Sequence, residues 1–103
     1  MQQYLEVFIS AETQEQADKV LNSLLAKKLA TGGQFLQSPA RFLWKGNIEE
    51  MDYITITSFT TADKKNALIQ DVESTTAEEL PMVRFVAIDV NQKLAAWIDQ
   101  TLK

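Results

Sequence analysis

The sequence predicts an α+β fold, a single four-stranded antiparallel sheet with helices on one face, in the order β-α-β-β-α-β plus a C-terminal helix. Three observations predict it. Short apolar runs rich in β-branched and aromatic residues occur at Tyr4 to Ser10, Phe35 to Trp44, Ile48 to Phe59 and Met82 to Val90, as strands require. Stretches of helical spacing follow the first, third and fourth of these runs. A length of 103 residues sets one domain.

Taken in order, Tyr4 to Ser10 reads as a strand buried on both faces. Thr13 and Gln16 have the spacing of a capping box, with Glu15 favourable in the first turn. Ala17, Val20, Leu21, Leu24, Leu25 and Leu29 continue that helix, Lys27 and Lys28 suit the negative end of its dipole, and Gly32-Gly33 is expected to stop it. Phe35 opens a second strand that Pro39 interrupts, so an edge position or a bulge is expected there. Lys45-Gly46-Asn47 is a tight turn, with Gly46 and Asn47 able to take positive φ. The third strand puts Tyr53, Thr55, Thr57 and Phe59 on one face and Ile54, Ile56 and Ser58 on the other. A hairpin this long is expected to extend past its own sheet. Thr60 or Thr61 is the expected cap of a helix carrying Ala67, Leu68 and Val72, and Glu73 to Glu79 reads as a loop. After Pro81 and the fourth strand, Asn91 is the expected cap of a helix whose stripe is Leu94, Trp97, Ile98 and Leu102.

This order is the ferredoxin-like arrangement. It leaves one sheet face open with large side chains on it, which implies self-association.

Composition narrows the chemistry. Apolar residues make up 46% and charged residues 23% of the chain, the balance of a globular domain. Ten basic and fourteen acidic residues leave a net charge of −4, which lacks the electrostatic footprint of nucleic-acid binding or of a polybasic membrane patch. The start Met1-Gln2-Gln3-Tyr4 has no charged leader region and its apolar run stops at Ile9. Neither a signal peptide nor a membrane anchor is expected, and cytoplasmic location is the default. The chain contains no histidine and no cysteine, which removes the usual ligands of copper and zinc and the usual near-neutral acid–base group.

Particular segments resemble a known family. Leu29-Ala30-Thr31, the hairpin Phe42-Leu43-Trp44-Lys45-Gly46-Asn47-Ile48-Glu49, Thr60-Thr61, Pro81 and Ala96-Trp97-Ile98 are similar to motifs of the CutA divalent-cation tolerance proteins. The hairpin is the most specific of them, and the likeness runs from about Tyr4 to Leu102. The resemblance implies a homotrimer linked to divalent cations, copper above all. The sequence departs from the family pattern at Gly32, Phe59, Thr76, Ala77, Glu78 and Met82, where the family carries cysteine, lysine, His-Pro-Tyr and glutamate. Those departures argue against direct soft-metal binding.

Several candidate sites follow. Met1, Met51 and Met82 are the remaining soft ligands, and for Met51 and Met82 packing is the competing role. Two carboxylate groups, Glu49 with Glu50 and Asp52, and Glu78 with Glu79, offer weak hard-cation ligands, against a reading as a solvated acidic rim. The resemblance brings Trp44, Thr60 and Pro81 together at a cleft between subunits, where Trp44 stacks on a small ligand and Thr60 offers a hydroxyl. The competing reading packs Trp44 across the trimer and makes Thr60 a helix cap. Phe42, Trp44 and Tyr53 are the expected trimer-interface residues. The leading expectation is a non-enzymatic trimer linked to cation tolerance, without a cofactor of its own. The alternatives are a trimeric small-ligand regulatory module resembling nitrogen-signalling proteins and a small carboxylate-based enzyme.

Overall fold

The computed structural model describes residues 2–103, so Met1 lies outside the described residues. The elements are β1 (Tyr4–Ala11), α1 (Gln14–Ala26), β2 (Gln34–Trp44), β3 (Asn47–Thr61), a 3₁₀ turn (Ala62–Lys64), α2 (Lys65–Thr75), β4 (Val83–Ile88) and α3 (Gln92–Thr101). All strand pairs are antiparallel in the order β2-β3-β1-β4, which is the ferredoxin-like sheet expected from the sequence.

β1 is covered on one face rather than two. Leu5, Val7, Ile9 and Ala11 are buried while Tyr4, Glu6 and Phe8 are half-buried, because the core helices lie against one side of the sheet. The core joins that face to Val20, Leu21 and Leu24 of α1, Ile54 and Ile56 of β3, and Leu68 and Val72 of α2. The face assignment of β3 holds, with Ile54, Ile56 and Ser58 buried and Tyr53, Thr55, Thr57 and Phe59 half-buried.

Both ends of α1 correct the expected picture. Thr13 Oγ1 accepts from the Gln16 amide at 3.1 Å, as a cap should. The Gln16 side chain does not close the box. It reaches α2 instead, donating to the Thr75 carbonyl at 3.4 Å and accepting from the Ala77 amide at 3.3 Å. The helix ends before the glycines. Lys28 takes the left-handed conformation at φ 56°, its amide donates to Leu25 O at 3.1 Å, and the Leu29 amide donates to Leu24 O at 2.9 Å. This pair of bonds is a Schellman ending with lysine where glycine usually stands. Gly33 serves a different purpose: a Cβ there would lie 2.8 Å from Leu21 Cδ2 and 3.3 Å from Ile56 Cγ2.

β2 runs unbroken through Pro39, which pairs with Asp52. It is the edge strand of the sheet, where a missing N–H is tolerated. The hairpin turn has Lys45 at φ 50° and Gly46 at φ 84°, a two-residue type I′ geometry. Asn47 is therefore the first residue of β3, paired with Trp44, rather than a turn residue. The pairing of β1 with β3 ends at Ala11 opposite Ile54. Residues 47–53 thus pair with β2 alone, and the hairpin overhangs the sheet.

Neither Thr60 nor Thr61 caps α2, whose cap position is Lys64. Thr60 is a fully buried strand residue whose Oγ1 donates to the Leu29 carbonyl at 2.7 Å. Thr61 precedes the 3₁₀ turn, and its hydroxyl donates to Asp63. α2 continues through Thr75, so the loop starts later than expected. Asn91 stands at the cap position of α3 with no side-chain cap bond. Ile98 on α3 and Leu102 just past its end are buried, but Trp97 is 47% exposed. Among the described residues no helix is long and apolar enough to cross a membrane.

Candidate functional site

The overhang creates a concave surface. The loop after α2 returns beside the hairpin on its way to β4 and is fastened to the end of β1. The Ser10 amide donates to Met82 O at 3.0 Å, and the Met82 amide donates to Ser10 Oγ at 3.1 Å. Ser10 Oγ in turn donates to Glu78 Oε2 at 2.9 Å. Tyr53, on β3, donates to Glu78 Oε1 at 3.1 Å. Between hairpin and loop lies a groove of about 400 Å³.

Its walls combine two chemistries. Phe42, Trp44, Met51 and Tyr53 come from the hairpin, and Leu80 and Met82 from the loop. Phe42 and Tyr53 meet edge to face with centroids 5.9 Å apart, a favoured aromatic geometry. Carboxylates supply the rest, from Glu12, Glu49, Glu78 and Glu79. The nearby cation is Lys45, whose Nζ lies 3.1 Å from Glu79 and 5.4 Å from the Trp44 ring centroid.

Burial is the main influence on the titratable floor of the groove. Burial, then the charge of Glu78, its hydrogen bond and the charge of Glu12, push the Tyr53 phenol up to about 12. It stays protonated and donating at any physiological pH. Burial also lifts the Glu78 carboxyl above the ordinary carboxylate range. Its hydrogen bonds from Ser10 and Tyr53 pull the other way, and Glu12 adds to the rise.

The sequence-derived candidates divide into those the groove gathers and those it does not. Trp44, Phe42, Tyr53, Glu49, Glu78 and Glu79 meet there, with Met51 and Met82. Pro81 lies between the lining residues Leu80 and Met82. Thr60 is remote. It is thirteen positions along β3 from Asn47, the partner of Trp44, or about 40 Å at strand rise. With its hydroxyl committed inside the core, it does not serve a cleft of this protomer. The first carboxylate group is also divided. Strand alternation sends Glu49 to the groove face and Glu50 and Asp52 to the other, where Glu50 pairs with Arg41 at 2.7 Å. Among the described residues no three acidic side chains come together as a metal site.

Reasoning from sequence missed Ser10, Glu12, Lys45 and Leu80. Ser10 and Glu78 are sixty-eight residues apart, and no local pattern announces such a contact. Lys45 had a signal, because a two-residue turn puts its side chain beside that of Trp44.

The fold and groove define a ferredoxin-like α+β domain whose overhanging hairpin and returning loop enclose a groove. The chain belongs to the CutA1 divalent ion tolerance protein family, whose model matches residues 5–101. It is 26% identical over 98 residues to the divalent-cation tolerance protein CutA of Archaeoglobus fulgidus, spanning 94% of this chain and 96% of that one. The solved structure described as the periplasmic CutA of that organism matches with a TM-score of 0.92 at 24% identity, covering 97% and 99% of the two chains. CutA1 of Pyrococcus horikoshii matches with a TM-score of 0.91 at 22% identity, covering 96% and 98%. At these identities the solved structures establish the fold.

Proposed function

We propose that the protein is a non-enzymatic, homotrimeric member of its family that contributes to divalent-cation tolerance without caging a soft metal inside one protomer. The family match across residues 5–101 carries this reading. The relatives are named for cation tolerance, while this chain has neither histidine nor cysteine with which to hold copper or zinc tightly. The trimer is supported by what the protomer leaves uncovered. Leu36 and Val86 on the open sheet face are 55% and 49% exposed, and Leu43 and Ile48 at the hairpin tip are 76% and 69% exposed. Phe42, Trp44 and Tyr53 adjoin this surface, so the groove stands at the proposed subunit boundary.

Calorimetry with copper(II), zinc, magnesium and calcium tests the metal part. Weak heats from hard cations, or none, fit the reading, and submicromolar copper binding contradicts it. Deleting the gene in its host should lower growth in elevated copper, and unchanged growth would remove the tolerance role. A cytoplasmic location is part of the proposal, and cell fractionation tests it. The groove itself favours a second reading, a trimeric module that binds a small ligand and responds to it.

A further inference from the structure

We infer that assembly of the protein takes up protons: docking of the next copy on the hairpin groove shuts Glu78 away from water, and the trimer is held more tightly as pH falls. The inference rests on the trimer proposed above and concerns how that assembly is regulated. Its basis is the charge gathered at the proposed boundary. Glu12 after β1, Glu49 on β3, and Glu78 and Glu79 in the loop between α2 and β4 line one groove. Lys45 reaches Glu79 at 3.1 Å. None of the ion pairs among the described residues involves Glu12, Glu49 or Glu78. The rest of the lining is aromatic, aliphatic or methionine.

Water screens these carboxylates in the single protomer, and a docked surface displaces it. Loss of water favours the neutral form of a carboxylic acid, and neighbouring like charges add to that preference. The effect falls first on Glu78, which the protomer already half-buries while Glu12, Glu49 and Glu79 stay exposed. The end of β1 presents the Ser10 hydroxyl and the Glu12 charge to it, and β3 presents the Tyr53 hydroxyl. Both hydroxyls donate to the carboxylate, at 2.9 and 3.1 Å. Both can turn to accept from the protonated acid. A group that binds its proton more tightly in the trimer than in the free protomer strengthens assembly fully below the protomer's titration range. That contribution is lost as pH rises through the trimer's range.

The test is subunit exchange of the full chain. Isotopically heavy and light trimers are mixed in EDTA, which removes divalent cations, and in urea too dilute to change the circular dichroism. Mixed assemblies are counted by mass spectrometry of the intact oligomer. Exchange should be at least about fivefold faster at about pH 8 than at about pH 5. Glu78→Gln should slow exchange at the higher pH and bring the ratio of the two rates close to one. Glu12→Gln should slow it by a smaller factor, and it carries the test if Glu78→Gln does not fold. Glu15→Gln, on the exposed first turn of α1, should leave the ratio unchanged. A trimer that exchanges at the same rate at both pH values, or at neither, overturns the inference and leaves the trimer standing. Faster exchange at the lower pH also overturns it, because a cation of the next copy would then be pairing with the carboxylates. The mass of a single chain at every pH removes the trimer and the inference together.

Discussion

At Asp71 a carboxylate is almost wholly enclosed on α2, with side-chain exposure of 4%. The ammonium of Lys27 is its partner, and Oδ2 has none. Lys27 was legible in the sequence as a dipole-compensating charge, but its larger task is to neutralise a residue forty-four positions away. Lys27 is itself 58% exposed, so solvent weakens the pair while removing either partner still strands a buried group. Lys27→Met should lower stability by about 1–3 kcal/mol in urea denaturation. Lys27→Met with Asp71→Leu should recover most of that loss. Glu78 makes a different prediction. Its folded-state affinity for a proton exceeds that of the unfolded chain, because burial raises it. Its contribution to stability is therefore fully present below the ordinary carboxylate range and is lost as pH rises through its higher folded value. In denaturation series across that window, the wild type should gain relative to Glu78→Gln as pH falls. A constant difference would contradict the assignment of the rise to folding.

The hairpin is where element-scale reasoning from sequence worked best and also slipped by one residue. Apolar alternation gave both strand faces, and Gly46 marked the turn. Asn47 can take positive φ but is not the residue that does, because the register closes Trp44 against Asn47 and leaves Lys45 to take φ 50°. Local preference for asparagine yields to the strand pairing that follows it. Gly46→Ala should therefore cost about 1–2 kcal/mol, and the exchange of amides near the tip should accelerate more than that of amides in β1. Gly33 teaches the related lesson for α1. It reads as a helix stop but is small because Leu21 and Ile56 approach its backbone. Gly33→Ala should be destabilising by about 1–3 kcal/mol through overpacking, measurable as a lower thermal midpoint, with α1 still ending at Ala26. The carboxylates near the tip were misgrouped for a reason that the strand period itself exposes. Glu49 and Glu50 are neighbours in sequence and opposites in space.

At the scale of the whole molecule, the element order and the open sheet face were legible, because periodicity and turn residues are local signals. The groove was only half legible. Trp44, Glu78 and Glu79 could be singled out, yet the contacts that assemble them span the chain from Ser10 to Glu78 and from Lys45 to Glu79. The protomer measures 44 × 24 × 20 Å, an elongated shape drawn out by an overhanging hairpin whose apolar tip is left in water. A partner copy would relieve that exposure. Leu36→Glu, placed on the open face of the edge strand, should dissociate the assembly while leaving the circular dichroism of each chain unchanged. The most direct measurement is sedimentation equilibrium of the intact protein at micromolar concentration. The account predicts a mass about three times the 11.6 kDa of the chain. A single species at the mass of one chain would contradict it.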